Sequence, residues 1–335
     1  MWFLAAAISF LVVFILILGL RLYAYLTLGV CRSTAKMNGK TVIVTGANSG
    51  IGKETARELA KRGAKVIMAC RNMETANKAR EENKNANVIV KKLDLSSLKS
   101  IREFAEDINR TVNKLDVLVH NAGTAHMFGS KVTEDGLELT MATNHYGPFL
   151  LTHLLIDLLK RSAPCRIVVV ASELYRLSSL NLNNMNPVNG LPAYLYYVSK
   201  YANIVFTHEL ARRLAGTDYS TFIPPNDNVL GIFTGVTANC LHPGMIDSGI
   251  WRNVPFPLNV PLNCIIKGFF KTPVEGAQTT IHLAVSEELE GISGKYYLDC
   301  KEHGLSNGAK DPAVAKKLWE LSEKFVKLGP KDPHI

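Results

Sequence analysis

From residue 41 onward, short runs of consecutive apolar residues alternate with longer stretches whose apolar positions recur at helical spacing. Six runs are predicted to be strands, at 41–44, 64–70, 87–93, 115–120, 166–170 and 236–241. Strands without polar alternation are buried on both faces, and strands separated by helices are joined by right-handed crossovers. The pattern therefore predicts one α/β domain over 38–330, with a doubly wound parallel sheet of about seven strands.

One predicted helix of this domain has residues near its centre that are unfavourable in a helix. The segment 137–160 carries Asn144 in its middle, and Gly147 and Pro148 follow shortly after. Asparagine is mildly unfavourable inside a helix, and proline should kink or loosen the turn before it. Because this arrangement costs stability, we expect Asn144 to have a local role.

An apolar run precedes the domain. Residues 2–20 are interrupted only by Ser9, and the apolar character continues to Leu26. A helix of this length could span a bilayer, whereas a cleaved signal peptide would show a basic start and a clear small-residue cleavage site. The basic residues follow the run, which places the domain in the cytosol. We therefore expect a membrane anchor at 1–28, in contact with membrane lipid, and a juxtamembrane linker at 29–37.

Composition narrows the class of protein. The net charge of +9 comes from scattered basic residues rather than one basic stripe, which argues against a nucleic-acid partner. The six cysteines are widely spaced, so we expect a reducing compartment and no metal site. Cys70 and Cys240 fall in apolar strands and are predicted to be core thiols.

A glycine-rich turn, Thr45–Gly52, separates the first strand from a stretch of good helix formers. Glycines let the backbone approach a pyrophosphate, and a helix N-terminus offers free N–H groups and positive dipole charge. With a strand before it and a helix after it, the turn predicts a Rossmann-like dinucleotide site. The residues predicted to contact the cofactor here are Gly46, Ala47, Asn48, Ser49, Gly50, Ile51 and Gly52.

Two side chains at the ends of the next strands bear on the identity of the cofactor. Arg71 ends the second strand, 19 positions after Gly52. An acidic residue near this position binds the ribose 2′-hydroxyl of NAD, whereas an arginine suits a 2′-phosphate, so the sequence favours NADP(H). Asp94 ends the third strand, where its carboxylate could accept a hydrogen bond from adenine. Capping of the following helix belongs more naturally to Ser96 or Ser97.

Small residues at two further strand ends predict close approach to the same cofactor, because ligands of open α/β sheets bind at the carboxyl ends of the strands. These residues are Asn121, Ala122, Gly123, Pro243 and Gly244. His120, at the end of the fourth strand, is interpreted as a packed histidine rather than a catalyst.

Tyr196 and Lys200 lie four positions apart and share one face of a helix predicted over 194–214. An ammonium group and an oxidised nicotinamide both favour the phenolate, which makes proton exchange feasible near neutral pH. Ser172 ends the fifth strand, where its hydroxyl could bind a substrate carbonyl oxygen. Three other phenols lie nearby but lack a lysine four residues on: Tyr194, Tyr197 and Tyr201.

Taken together, these motifs resemble the short-chain dehydrogenase/reductase family over about residues 38–300. The resemblance rests on Thr45–Gly52, Asn121–Gly123, Asn144, Ser172, Tyr196–Lys200 and Pro243-Gly244. It implies a catalytic tetrad of Asn144, Ser172, Tyr196 and Lys200. In this tetrad Tyr196 donates the proton in reduction and Ser172 binds the substrate carbonyl. Lys200 binds the ribose and activates the tyrosine, and Asn144 holds a proton-relay water.

More narrowly, segments 69–71, 143–152, 271–278 and 293–297 resemble the membrane-bound retinol dehydrogenase subgroup. This resemblance implies NADP(H)-dependent interconversion of a lipophilic alcohol and its aldehyde or ketone, retinol and retinal first. It also implies a single-pass protein of the endoplasmic reticulum membrane, with a mitochondrial membrane as the alternative. A steroid or isoprenoid alcohol dehydrogenase and a non-catalytic nucleotide-binding membrane protein remain alternatives, and a homodimer is compatible with the sequence.

Two long connections remain open to interpretation. Residues 220–235 exceed the link that this family usually carries before its sixth strand, and proline and asparagine mark them as a loop. They could contact the membrane or a partner, or weaken the enzyme. Residues 245–271 are apolar and are predicted to form a lid over a lipophilic substrate, with a buried connection as the alternative.

Overall fold

The computed structural model describes residues 11, 12, 15, 19, 22, 26–83, 85–125, 129, 131–215, 235–247 and 270–335. Most of the predicted anchor at 1–28, nearly all of the segment 220–235 and most of the predicted lid at 245–271 lie outside the described residues. Among the residues that are described, no helix combines the length and the apolar character needed to cross a membrane.

In the described part of the chain, eight strands form one sheet in the order β3-β2-β1-β4-β5-β6-β7-β8. The strands are β1 (Thr41–Thr45), β2 (Lys65–Cys70), β3 (Val88–Lys92), β4 (Val117–His120), β5 (Cys165–Val170), β6 (Val236–His242), β7 (Tyr296–Leu298) and β8 (Lys301–Glu302). The first seven pair in parallel, and β8 pairs antiparallel with β7. The predicted doubly wound parallel sheet is confirmed, and its order reverses between β1 and β4.

Helices cover both faces of this sheet. They are α1 (Gly50–Lys61), α2 (Met73–Asn83), α3 (Leu98–Thr111), α4 (Leu139–Met141), α5 (Gly147–Arg161), α6 (Pro192–Leu214), α7 (Pro273–Val285) and α8 (Pro312–Phe325). Ile43 of β1 belongs to the core beneath α3, α5, α6 and α8, whereas Val42 and Val44 belong to the core beneath α1, α2 and α7. The central strands β1 and β4 are buried on both faces, which accounts for their nearly continuous apolar sequences. Cys70 and Cys240 are core thiols, as predicted.

The predicted helix over 137–160 is interrupted at its centre. A π-helix, Ala142–Tyr146, separates α4 from α5, and the Gly147 N–H donates to the carbonyl oxygen of Ala142, five residues back. A Cβ at Gly147 would lie 2.4 Å from the carbonyl oxygen of Leu95, so the close approach of these backbones requires glycine. The predicted loosening therefore occurs, as a wide turn that contains Asn144.

Helix α8 covers the outer face of α5 and α6 through one tryptophan. The Trp319 ring is 2% exposed, lies 4.9 Å from the Phe149 ring and stacks at 5.8 Å on Phe206, measured between ring centroids. The Arg213 guanidinium lies 4.2 Å from the centroid of the same indole. The C-terminal helix is therefore part of the domain core.

Replacing this indole tests how much α8 contributes. Trp319→Ala should lower the free energy of unfolding by about 3–5 kcal/mol, because it opens a large cavity between three helices. Urea titration followed by circular dichroism measures the change. The control is Glu320→Ala on the same helix, whose half-exposed side chain pairs with Lys317; its effect should stay within about 0.5 kcal/mol. A loss below 1 kcal/mol for Trp319→Ala would contradict the packing described.

Candidate active site

The glycine-rich turn Thr45–Gly52 leads from β1 into α1 in a conformation that favours glycine. Gly46 and Gly50 have φ angles of +66° and +55°. A Cβ at Gly52 would lie 2.3 Å from the Asn121 Nδ2 atom and 2.5 Å from the carbonyl oxygen of Gly46. The first turn of α1 contains no acidic residue, and the Ser49 side chain makes no capping hydrogen bond. The N-terminal amides and the helix dipole are therefore available to bind an anion such as a pyrophosphate.

The end of β4 is joined to this turn by hydrogen bonds. The Thr45 Oγ1 atom accepts from the backbone N–H groups of Asn121 and Ala122, each at 3.0 Å. The Asn121 side-chain amide donates to the carbonyl oxygen of Thr45 at 2.9 Å. The two loops flank the point where the strand order reverses, and together they form one surface of the predicted cofactor site. Thr45 was not among the predicted site residues, although it belongs to the motif.

Arg71 lies beside the glycine turn. It is exposed and directly follows β2, whose Ala69 accepts a 2.8 Å hydrogen bond from the N–H of Gly46. The Asn48 side-chain amide donates to Thr75 Oγ1 at 3.0 Å, which connects the turn to the first turn of α2. The guanidinium is therefore on a loop that adjoins the predicted phosphate site.

Asp94 follows the strand β3 and its carboxylate contacts the next loop. Its Oδ1 atom accepts from the N–H of Ser96 at 2.9 Å and from the Ser96 hydroxyl at 2.6 Å. Ser97 caps α3 by accepting from the N–H of Ser100 at 3.3 Å, as the sequence predicted. The adenine contact of Asp94 stays a prediction.

Asn144 connects the loop after β4 to helix α6. Its Oδ1 atom accepts from the N–H of Thr124 at 2.8 Å, and its Nδ2 atom donates to the carbonyl oxygen of Thr124 at 2.9 Å. Nδ2 also donates to the Ser199 hydroxyl at 2.9 Å. The side chain is 1% exposed, and protein groups satisfy this buried amide. Ser199 was not predicted as a site residue, because no sequence pattern distinguishes a serine next to Lys200.

Ser172 and Tyr196 meet at the carboxyl end of β5. Ser172 is buried, and its hydroxyl accepts a hydrogen bond from the N–H of Leu174 at 3.3 Å. Burial raises the pKa of Tyr196 to about 12, although a hydrogen bond with the Ser172 side chain opposes this rise. Tyr196 is therefore a neutral phenol at physiological pH.

Lys200 lies on the same side of α6, one turn after Tyr196. Its Nζ atom donates to the carbonyl oxygen of Val170 at 2.9 Å and lies 5.6 Å from the centroid of the Tyr196 ring. A Cβ placed at Gly123 would lie 3.5 Å from this Nζ atom, so the ammonium borders the loop after β4. Burial lowers the pKa of Lys200 to about 8, because the charged form loses hydration.

Two other phenols of this region have partners away from Ser172 and Lys200. The Tyr194 hydroxyl accepts from the N–H of Ser179 at 3.3 Å, and the Tyr201 ring packs edge-on against Tyr175. The Tyr197 ring lies edge-on to Tyr196 at 6.2 Å between centroids. Tyr196 is therefore the phenol that fits the predicted role.

The turn after β6 closes the other side of the site. Gly244 has a φ of +97°, and a Cβ there would lie 2.8–2.9 Å from the outer atoms of the Lys271 side chain. Pro243 before it is buried. His120, by contrast, is a packed residue: its Nε2 atom contacts Thr152 Oγ1 at 2.8 Å, and burial lowers its pKa to about 3.

A glycine-rich turn at the point of strand reversal, with Ser172 after a neighbouring strand and Tyr196 and Lys200 on the helix beside it, is the arrangement of a nicotinamide-dependent oxidoreductase on a Rossmann-like sheet. The short chain dehydrogenase family model matches residues 40–223, and the chain belongs to this family.

Several proteins are similar to this chain over most of their length. Retinol dehydrogenase 14 of Homo sapiens is 46% identical over 312 residues, which cover 87% of this chain and 88% of the relative. Retinol dehydrogenase 11 of Homo sapiens is 43% identical over 302 residues and 89% of each chain.

Solved structures share the fold. An uncharacterized protein from Mycobacterium paratuberculosis is 32% identical with a TM-score of 0.69, covering 89% of this chain and 98% of that one. The RhlG/NADP active-site complex of Pseudomonas aeruginosa is 26% identical with a TM-score of 0.59, covering 78% of this chain and 94% of that one.

The low pKa of Lys200 predicts how cofactor binding depends on pH. The ammonium form is present below about pH 8 and is lost as the pH rises further, so a negatively charged nicotinamide dinucleotide such as NADPH should bind progressively more weakly above that pH. The Kd for NADPH, measured by cofactor fluorescence between pH 6 and 10, should rise by up to about tenfold per pH unit.

Lys200→Arg should move this rise beyond the measured range, since arginine stays protonated. Lys200→Met should bind weakly with no dependence on pH near 8. An unchanged Kd up to pH 10 in the unmodified protein would contradict the role of the ammonium.

Proposed function

We propose that this protein is a membrane-anchored, NADP(H)-dependent oxidoreductase that interconverts a lipophilic alcohol and its aldehyde or ketone, retinol and retinal first. The observation that carries the proposal is the grouping of Ser172, Tyr196 and Lys200 beside Gly123, at the edge of the sheet where the glycine turn also lies. The names of the relatives support retinol as the first substrate to test.

The residues at the strand ends fit a nicotinamide dinucleotide. The amides at the start of α1 suit a pyrophosphate, and the glycines of the turn allow the backbone to approach it closely. Asn121–Gly123, Pro243 and Gly244 would border the nicotinamide half, and Asp94 the adenine. When bound, the reduced cofactor supplies a hydride.

The proton in reduction comes from the Tyr196 hydroxyl. With a pKa near 12 this group is protonated throughout the neutral range, so it can donate to a carbonyl oxygen. Ser172 donates a hydrogen bond to the same oxygen and stabilises the negative charge that develops there. Lys200 supplies positive charge beneath the tyrosine ring, which favours the phenolate left after the transfer.

Two further features support the finer parts of the proposal. Arg71 adjoins the glycine turn, where a guanidinium suits a 2′-phosphate better than a 2′-hydroxyl. The apolar run at residues 2–26 is long enough to span a bilayer, which would bring the site close to a lipophilic substrate dissolved there. The positive residues that follow the run favour a cytosolic domain. The resemblance to the retinol dehydrogenase subgroup supports the endoplasmic reticulum as the membrane.

Reversing the charge at Arg71 tests the choice of cofactor. Arg71→Asp should raise the KM for NADPH at least about tenfold and lower the KM for NADH, because the carboxylate repels a 2′-phosphate and accepts from a 2′-hydroxyl. Initial rates with both cofactors measure the change. Arg80→Asp is the matched control, since Arg80 is exposed on α2. Equal effects of the two substitutions would contradict a specific role of Arg71.

Turnover on a panel of carbonyls tests the substrate and the mechanism. Membranes carrying the protein should oxidise NADPH with all-trans-retinal, and Tyr196→Phe should lower kcat by at least about a hundredfold while NADPH still binds. The control is Tyr194→Phe, which removes a half-exposed phenol that bonds to Ser179.

The panel separates the remaining functions. Activity on steroid or isoprenoid carbonyls without activity on retinal would reassign the substrate. Saturable NADPH binding with no turnover, unchanged by Tyr196→Phe, would show a non-catalytic nucleotide-binding protein.

A further inference from the structure

The predicted linker at 29–37, here called the strap, lies against the catalytic domain. Its side chains alternate: Cys31, Ser33, Ala35 and Met37 are buried or partly buried, whereas the residues between them are exposed. This period of two is that of an extended chain with one face covered. Cys31, Ala35 and Met37 pack against the core beneath α1 and α7.

Polar contacts attach the strap to two helices. The N–H of Cys31 donates to Gln278 Oε1 on α7 at 3.2 Å. The Arg62 guanidinium, just after α1, donates to the carbonyl oxygens of Ser33 and Ala35 at 2.9 and 3.1 Å. The Ser33 hydroxyl donates to Glu287 at 2.8 Å. A freely moving linker would satisfy these groups with water, so the strap is a docked part of the domain.

The start of the strap meets the turn after β7. The Gly29 N–H donates to Asp299 Oδ1 at 3.1 Å, and the Lys271 ammonium donates to the same oxygen at 2.5 Å. A Cβ at Gly29 would lie 2.1 Å from the backbone carbonyl of Asp299, so this contact requires glycine. Asp299 itself has a φ of +51°, a conformation that aspartate and asparagine tolerate better than most residues.

Lys271 connects Asp299 to the turn at Gly244 in the candidate active site. Its side chain occupies the space where a Cβ of Gly244 would be, with distances of 2.8–2.9 Å. Its backbone N–H donates to the carbonyl oxygen of Met245 at 2.8 Å, and its carbonyl accepts from the N–H of Asp247 at 2.9 Å. The charges of Lys271 and Asp299 also act on the pKa of His242, the last residue of β6.

We propose that Asp299 is a positioning residue that connects the strap to the Pro243–Gly244 turn through Lys271. A long lysine side chain has many rotamers, and without a partner it would not stay in one place. Asp299 holds the ammonium, the lysine stem then packs on Gly244, and the docked strap holds Asp299. Undocking the strap therefore loosens the edge of the cofactor site. For its effect on cofactor binding, this inference rests on the proposed function.

A methyl group at Gly29 is the most direct test, because it collides with the Asp299 backbone. In full-length protein, Gly29→Ala should speed trypsin cleavage after Arg32 and Lys36 and increase hydrogen exchange of the Gly244 and Met245 amides. The Kd for NADPH should rise about fivefold, while kcat at saturation changes little. Gly304→Ala is the matched control, since a Cβ there meets open space.

Two further variants separate the strap from the ion pair. Asp299→Asn keeps an acceptor for Gly29 and tolerates the positive φ, so the strap should stay protected from trypsin while the Gly244 amide exchanges faster. Lys271→Met should weaken NADPH binding by a similar factor. Adding Gly29→Ala to Lys271→Met should then change the Kd no further, because the connection is already broken.

Two results would overturn the inference. If Gly29→Ala exposes the strap to trypsin but leaves exchange at Gly244 and NADPH binding unchanged, the strap has a structural role only. If trypsin cleavage is also unchanged, the contact with Asp299 does not hold the strap in place. Trypsin cleavage, hydrogen exchange and NADPH binding use no carbonyl substrate, so a failure of retinal turnover is distinguishable from a failure of this inference.

Discussion

The geometry of the candidate active site depends on the buried side-chain amide of Asn144. It makes three hydrogen bonds, two to the backbone of Thr124 and one to Ser199. Ser199 in turn donates to the carbonyl oxygen of Tyr196 at 2.7 Å and directly precedes Lys200. Since an unpaired buried amide would cost more than each hydrogen bond contributes, the loop after β4 and helix α6 are held at one separation. The π-helix is the backbone conformation that accompanies this inward amide.

Burial shifts the two titrating groups of the site in opposite directions. It raises the pKa of Tyr196 and lowers that of Lys200, because each charged form loses hydration. The carbonyl oxygen of Val170 accepts from the ammonium, but it offers no full negative charge. The site therefore contains a neutral phenol, Tyr196, beside the Lys200 ammonium, which loses its proton more easily than a hydrated lysine. A negatively charged cofactor would favour the ammonium and so maintain the positive charge beneath the tyrosine at higher pH.

The sequence could predict the features that depend on local pattern. The strand ends place Gly46, Asn121, Ser172 and Gly244 at one edge of the sheet, and helical spacing places Tyr196 and Lys200 on one face. At Asn144 the sequence predicted only a loosened helical turn and not a π-helix, because the π geometry depends on hydrogen bonds to distant loops. The contact between Gly29 and Asp299 joins residues 270 positions apart, so no local pattern could indicate it. Strand β8 consists of two exposed charged residues without strand character in their sequence.

The two sides of the site are held by forces of different strength. On one side, hydrogen bonds to the Thr45 hydroxyl and glycines without room for a Cβ fix the loops around Thr45 and Asn121. On the other side, Gly244 is held by an ion pair between Lys271 and Asp299 whose side chains are 18% and 23% exposed. A partly hydrated pair contributes less and adjusts more easily than a steric constraint. The Gly244 edge can therefore shift more readily than the loops around Thr45 and Asn121, and a change in its position would act on the same proposed cofactor site.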